Sequence, residues 1–388
     1  MRPAAVPAAS VFSDSKRHYE VLDGLRGVGA LMVVGFHIFE AFAGGSHLKQ
    51  LMNHGYLAVD FFFMLSGFVI GYAYDDRWSR MTLGDFARRR LIRLHPMIIM
   101  GMIIGAIAFY FSAGPLFPKI DQVPVWQLLL VMLIGCTLLP VPRAWDIRGW
   151  QEMHPLDGPA WSLFFEYIAN VLYALFLRRA SKMVLSILTV LAGVALVHLA
   201  VTSRHGDVIG GWALSPHQLR IGFTRLLFPF LGGLLLSRVA RPGRIPHAFL
   251  TASLLLVVVL SWPRVGGKEY LWLNGVYDSF VIIGVFPLIV YLGACGDRTE
   301  GIAGRACRFL GDLSYPLYIT HYPLIYVFTA WVVEAKLTLS EAWPLCLLVL
   351  AASIVIAHVC LRLYDLPVRA WLAARGGARR AKAEGRKG

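Results

Sequence analysis

Apolar residues in this chain come in blocks of about 16 to 20, and a helix needs about 20 residues to cross a bilayer. Inside lipid every backbone polar group must be paired within the segment, so such blocks are helices. A β-barrel would instead alternate in segments of roughly ten residues, and no such pattern is found. A single water-soluble core is excluded by composition. Of the 388 residues, 57% are hydrophobic and 15% charged, against roughly 25% charged in soluble domains. The sequence therefore predicts an all-α integral membrane protein.

Candidate spans are 27–44, 56–74, 97–113, 159–177, 183–201, 221–237, 248–262, 278–294, 313–333 and 343–363. A shorter apolar block, 126–141, needs separate treatment. Basic connections lie at 77–93, 178–182 and 238–244, with a milder one at 298–308. With Lys16 and Arg17 in the cytoplasm, all of them fall inside only if 97–141 makes one crossing. Block 126–141 is then re-entrant or interfacial, about ten helices span, and both termini are cytoplasmic. Residues 1–18 form a cytoplasmic segment, 19–369 the membrane domain and 370–388 a basic tail. The net charge of +14 suits an anionic inner leaflet; with no sizeable soluble domain, nucleic acid is not the expected partner. Five scattered cysteines suggest neither a disulfide framework nor a metal site. The start of the chain lacks the pattern of a cleavable signal.

Ionisable groups inside spans are costly and usually functional. Arg26 stands at the mouth of the first span, and His37 lies eleven residues deeper, about 16 Å along the same helix face. A cation at the mouth and an imidazole near mid-membrane suit a substrate with an anionic head and a reactive end. A snorkelling arginine and a histidine bonded between helices would give the same pattern. Asp60 opens the second span, as a group that orients a catalytic residue or as a helix cap. Ser66 and Gly67 read as packing residues. Arg89, Arg90 and Arg93 enter the third span as a topology signal and as a phosphate clamp. Trp161 is placed in the interfacial belt, beside Ser162. Glu166 lies one to two turns inside and needs a partner, an intramembrane histidine being the natural one. Arg225 enters span 221–237. Tyr315 and His321 enter span 313–333, where Pro316 should kink the helix.

Together these residues resemble the acyltransferase 3 family of bacterial membrane acyltransferases. The likeness runs from about Tyr19 to Arg369. It rests on the Arg26 and His37 pair, on Val59-Asp60-Phe-Phe-Phe-Met-Leu-Ser66-Gly67 and on Arg89-Arg90-x-x-Arg93-x-x-Pro96. Trp161-Ser162-Leu-x-x-Glu166 and Ser314-Tyr315-Pro-Leu-Tyr318-x-x-His321 complete it. The family usually has glutamate before its C-terminal proline pair; here the sequence is Asp365-Leu366-Pro367.

The resemblance implies transfer of an acyl group, commonly acetyl, from cytoplasmic acyl-CoA to a hydroxyl of a sugar, such as one of a lipopolysaccharide or exopolysaccharide. It implies the bacterial inner membrane and acetyl-CoA as substrate, with no permanently bound cofactor and no metal. Because the chain ends soon after Asp365, it reads as the form without an added hydrolase-like domain. Arg26, Arg89, Arg90 and Arg93 would hold the CoA phosphates. His37 would act as general base or carry the acyl group. Glu166, or less directly Asp60, would orient it. His321 would bind or deprotonate the acceptor, and Trp161 would stack on the sugar. Ser162, Arg225 and Tyr315 are further candidates for substrate contact.

The alternative class is a transporter or exporter in which His37, Glu166 and His321 relay protons. A purely structural protein would not concentrate so many buried ionisable groups. His18 and Asp23 imitate the spaced pair of soluble glycerolipid acyltransferases, a short pattern that arises by chance. Gly24 to Gly29 makes a poor glycine-rich loop, with no preceding strand.

Overall fold

The computed structural model describes residues 16, 18–46, 48–241, 243–296 and 301–384, with side chains to residue 375. Most of the expected N-terminal segment, including Arg17, and the tail side chains from Arg379 onward lie outside the described residues.

The described chain is helical, and β pairing among its residues is limited to isolated bridges. Helices α1 (Glu20–Glu40), α2 (Ala58–Tyr74), α3 (Leu83–Ala108), α4 (Val125–Cys136) and α5 (Ala160–Leu175) come first. Then follow α6 (Lys182–Thr202), α7 (Pro216–Val239), α8 (Ala248–Ser261), α9 (Trp272–Phe280) and α10 (Phe286–Cys295). The last are α11 (Gly301–Thr320), α12 (Tyr322–Glu334), α13 (Leu339–Cys360) and α14 (Leu366–Glu384). Among the described residues, seven helical stretches are long and apolar enough to cross a membrane, and four shorter apolar helices accompany them. Apolar side chains on α6, α8 and α13, such as Val190, Leu254 and Leu348, face outward, as lipid-facing surfaces do. The protein is a multi-pass helical membrane protein.

Local chemistry fixes where the helices start and bend. Thr82 and Asp85 form a capping box, so α3 begins well before the apolar run and carries the arginine cluster inside it. A π turn joins α9 to α10 (Val281–Val285), and another joins α13 to α14 (Leu361–Asp365). Pro287 and Pro367 follow these turns immediately; a proline has no N–H for the regular ladder, and the widened register absorbs the loss. Helix α4 has 12 residues, about 18 Å, against a hydrocarbon core of about 30 Å.

The expected 313–333 span is two helices. Helix α11 runs through Pro316, where a kink was expected, and the chain instead bends at His321 before α12. Pro323 cannot donate to the ladder there, and the His321 ring donates to the Leu317 and Tyr318 carbonyls one turn back, the first of which also accepts from the His321 backbone N–H.

Helices α1 and α2 are held by close backbone approach. A Cβ on Gly27 would stand 2.2 Å from the Leu310 carbonyl oxygen of α11. One on Gly67 would stand 2.1 Å from the Phe230 oxygen, and one on Gly233 2.0 Å from the Met64 oxygen, so α2 and α7 meet backbone to backbone. Arg238 ties the basic ends of α2, α5 and α7 together. It donates to Asp75 at 2.7 and 3.2 Å and to the carbonyls of Leu177 and Ala180. At the opposite end, Arg148 anchors the loop 137–159 through Ser112 and the Pro155 carbonyl, and stacks 3.5 Å from the Tyr326 ring centre.

Asp60 and Arg225 belong to this framework. Arg225 Nη2 donates to Asp60 Oδ2 at 2.6 Å and its Nε to Oδ1 at 3.2 Å. Its remaining donors reach the Gly210 and Tyr56 carbonyls. Both residues are almost fully buried, so the pair locks α2 to α7 and is spent on structure rather than on orienting a catalytic group or holding substrate.

Two stability predictions follow from these contacts. Gly67→Ala should destabilise the detergent-solubilised protein by about 1–3 kcal/mol, while Gly232→Ala, whose nearest neighbours would lie at 3.7 Å, should leave the unfolding midpoint unchanged. Asp60→Ala should cost about 3–5 kcal/mol by leaving Arg225 buried without its counter-ion; replacing both residues by leucine should recover much of that loss.

Candidate active site

A cavity of about 490 Å³ opens at the basic end of the bundle. Its wall on α2 is Val59, Phe62, Phe63, Ser66, Val69 and Ile70, a helical stripe repeating every three to four residues. From Val59 to the end of α2 at Tyr74 is 15 residues, about 22 Å, so the cavity penetrates deep into the bundle. Arg26 lies near its mouth on α1, and Arg308, Arg362 and Arg369 stand around it on α11 and the turn into α14.

The charges of the cavity are graded by their pairing. Arg26 donates to Asp23 at 2.8 Å, and Asp23 also holds His18 at 3.0 Å. Arg90 is buried and donates to Glu166 at 2.8 Å; Ser66 donates to the same carboxylate oxygen at 2.9 Å. Arg369 pairs with Asp365 at 3.0 Å. Arg93 and Arg362 line the cavity with no carboxylate partner among the described residues. The hydrogen bond to Asp23 raises the His18 imidazole above its ordinary pKa, against the opposing effect of burial. Ser162 and Tyr318 share a 2.7 Å hydrogen bond inside the cavity wall. Tyr315 also lines it and donates to the Leu94 carbonyl at 2.6 Å.

Beyond Tyr318 lie the two histidines. The Tyr318 ring meets Phe62 at 5.4 Å and His321 at 6.2 Å between centres. His321 stands 5.7 Å from His37, and Tyr322 sets its edge against both. His37 Nδ1 lies 2.8 Å from Glu40 Oε2. A carboxylate accepts only, so Nδ1 carries the proton and Nε2 keeps its lone pair. The His37 side chain is 18% exposed and that of Glu40 47% exposed, which leaves the dyad reachable from the end opposite the arginines. The arrangement places a basic imidazole nitrogen between a cation-lined cavity on one side and an open surface on the other.

Several expectations change in detail. Glu166 does not meet a histidine; it neutralises Arg90. The partner of His37 is Glu40, one turn along the same helix, a spacing visible in the sequence as His37-Ile-Phe-Glu40. Arg89 is not among the residues lining the cavity, whereas Arg90 and Arg93 are. Adjacent helical residues point about 100° apart, so only part of an arginine run can face one site. Trp161 is enclosed by protein rather than set on the outer surface. It is 7% exposed, covered by Gly211 and set against Arg225, whose guanidinium lies 5.3 Å from its ring, and it has no open face for a sugar. His18, Arg308, Arg362 and Arg369 join the cavity beyond those read from the sequence. The three arginines were marked in the sequence by basic charge at span ends, and His18 by its spacing to Asp23, which was set aside as a chance pattern.

Among the described residues, no group of three or more His, Cys, Asp or Glu side chains could hold a metal ion.

Comparison with known proteins fits this geometry. The acyltransferase domain model of the acyltransferase 3 family matches residues 19–361. "Protein 2 in picA locus" of Rhizobium radiobacter is 35% identical over 190 residues, 46% of this chain and 94% of that protein. Peptidoglycan O-acetyltransferase OatA of Listeria monocytogenes is 24% identical over 382 residues, covering 92% of this chain and 56% of that protein. Acyltransferase MdmB of Streptomyces mycarofaciens is 31% identical over 167 residues, 42% of this chain and 40% of that one. The chain thus spans about half the length of the peptidoglycan O-acetyltransferases it matches. No solved structure matches it. With the family model covering nearly its whole length, the chain belongs to the acyltransferase 3 family.

Proposed function

We propose that the protein takes an acyl group, acetyl in the first instance, from acyl-CoA and places it on a hydroxyl of a carbohydrate or glycoconjugate, such as a lipopolysaccharide or exopolysaccharide sugar. It works in the bacterial inner membrane, with the arginine-rich end in the cytoplasm. The observation that carries this reading is the His37–Glu40 dyad, placed between the cation-lined cavity and the opposite face.

The donor enters from the basic end. Its phosphates meet the free guanidinium groups of Arg93 and Arg362, with Arg308 and Arg26 close by. Its pantetheine arm lies along the α2 stripe, apolar apart from Ser66. The thioester then approaches Phe62 and Tyr318, the side chains that stand between the cavity and His321. Beyond them His37 offers Nε2 as the reacting atom, with Glu40 fixing the tautomer and stabilising positive charge on the ring. Glu166 is a positioning residue here: it holds Arg90 and Ser66 in the cavity wall. The acceptor hydroxyl arrives from the face on which Glu40 is exposed.

Mass spectrometry of the producing cell's surface glycans and secreted products tests the reading, comparing strains with the gene intact, deleted and altered. Deletion and His37→Ala should remove the same acyl-sized mass, with transfer reduced by about 10²-fold or more and the unfolding midpoint of the purified variant unchanged. Glu40→Gln should slow transfer while leaving the KM for acyl-CoA unchanged. No acyl loss in the deletion strain would overturn the function, and full acylation by His37→Ala would overturn the dyad.

The donor site should also respond to pH. Asp23 and Glu20 favour the His18 cation, and Arg93 opposes it. The net effect keeps His18 charged to a higher pH than a free histidine, and the charge is lost as pH rises through that raised pKa. The KM for acyl-CoA should therefore climb over that interval, and His18→Gln should flatten the profile.

A further inference from the structure

The two histidines beyond the cavity have the same nitrogen free, for different reasons. In His37 the Glu40 carboxylate fixes the proton on Nδ1. In His321, Nδ1 lies 3.0 Å from the Leu317 carbonyl and 2.9 Å from the Tyr318 carbonyl. Carbonyl oxygens cannot donate, so Nδ1 of His321 is the N–H and Nε2 is a bare lone pair. That Nε2 is buried and without a hydrogen-bond partner, and the residue is 0% exposed. A buried acceptor left open in a protein interior is costly and calls for an explanation. At 5.7 Å between centres the rings do not hydrogen-bond to each other, and each keeps its Nε2 for another group. Glu40, Tyr318, Tyr322 and the backbone carbonyls are set against this pair, with Glu152 behind Tyr322.

We infer that the two histidines divide the reaction into two steps, His37 carrying the acyl group and His321 serving as the base that activates the acceptor. The inference rests on the acyl-transfer reading above. In the first step His37 Nε2 attacks the thioester carbonyl carbon. A C–N bond forms, the C–S bond breaks, and its electron pair leaves on the CoA sulfur as thiolate. Glu40 balances the resulting acyl-imidazolium through its Nδ1 hydrogen bond. In the second step the acceptor hydroxyl gives its proton to His321 Nε2 as its oxygen attacks the acyl carbon. A C–O bond forms, the C–N bond breaks, and the pair returns to His37 Nε2. The proton on His321 passes back to the thiolate, so the products are ester and CoA thiol.

His321→Asn separates the base from the scaffold. The asparagine amide can still donate to the Leu317 and Tyr318 carbonyls, so the bend is kept, but the distal lone pair is gone. Two measurements distinguish the steps. The first is exchange of radiolabelled CoA into acetyl-CoA by membranes holding the full chain, which needs no acceptor. The second is the acyl-ester content of the producing cell's glycans and secreted products. His321→Asn should exchange CoA at the wild-type rate yet lose acylation about 10²-fold or more; His37→Gln should lose both. Absence of exchange by the wild-type protein, alongside normal product acylation, would overturn the acyl-histidine. Normal acylation by His321→Asn would overturn its role as base, as would equal loss of exchange and acylation. If neither exchange nor any gene-dependent ester is found with the wild-type protein, the acyl-transfer reading itself fails.

Discussion

A break in a membrane helix has no water to fall back on, and the bend at His321 depends on that constraint. Pro323 withholds one backbone donor, and the chain between α11 and α12 must satisfy itself. At the bend the His321 ring donates Nδ1–H to the Leu317 and Tyr318 carbonyls one turn back. The same hydrogen bonds turn its other nitrogen inward, against His37 and Tyr322. A backbone requirement thereby fixes a tautomer, and the tautomer fixes which atom is available for chemistry.

Charge inside the bundle is divided between two uses. Asp60 with Arg225, and Asp75 with Arg238, close their hydrogen bonds on each other and on backbone carbonyls. Pairs of this kind hold helices in register, and their cost is contained because nearly every donor is used. In the cavity the balance differs. Arg93 and Arg362 line the space with no carboxylate hydrogen-bonded to them among the described residues, and among the same residues two histidine nitrogens beyond it have no fixed partner. Open cations at the mouth and open lone pairs at the centre are groups awaiting a ligand of opposite character. They lie along one path through the protein, with Phe62 and Tyr318 between.

The sequence carried the features that depend on one helix and lost those that depend on how two helices are turned. Apolar blocks gave the helical membrane class. The eleven-residue interval from Arg26 to His37 placed both on one face, because both belong to α1. Glu40 was legible by the same rule, one turn beyond His37. Glu166 was expected against a histidine; its rotation about α5, which no periodicity in α5 alone can reveal, turns it to Arg90 on α3. The same holds for Trp161, which faces Gly211 and Arg225 rather than lipid headgroups. Arg89 and Arg90 differ by one residue, and the structure admits only the second to the cavity. The break at His321 was hidden for another reason. Two prolines, 316 and 323, compete as the bend point, and no spacing rule in the sequence chooses between them.

In the transfer proposed above, donor and acceptor approach from opposite faces, and that separation imposes a proton balance. The acceptor hydroxyl releases its proton at one face, and the CoA thiolate needs one at the other. A lone histidine open at 18% to the acceptor side would shed that proton into the outer medium and leave the thiolate to be protonated from the cytoplasm. Each turnover would then move one charge across the membrane, against or with the potential, at roughly 2.3 kcal/mol per 100 mV. A second base sealed inside the bundle avoids this. His321 is fully buried, stands next to His37 on one side and next to Tyr318 on the other, and Tyr318 lines the cavity together with Ser162. A proton taken up at His321 has the Tyr318 and Phe62 side chains between it and the donor cavity, and the Tyr318 ring is in contact with His321. The buried lone pair that looks like a defect in the packing is the position from which transfer can be kept electrically silent.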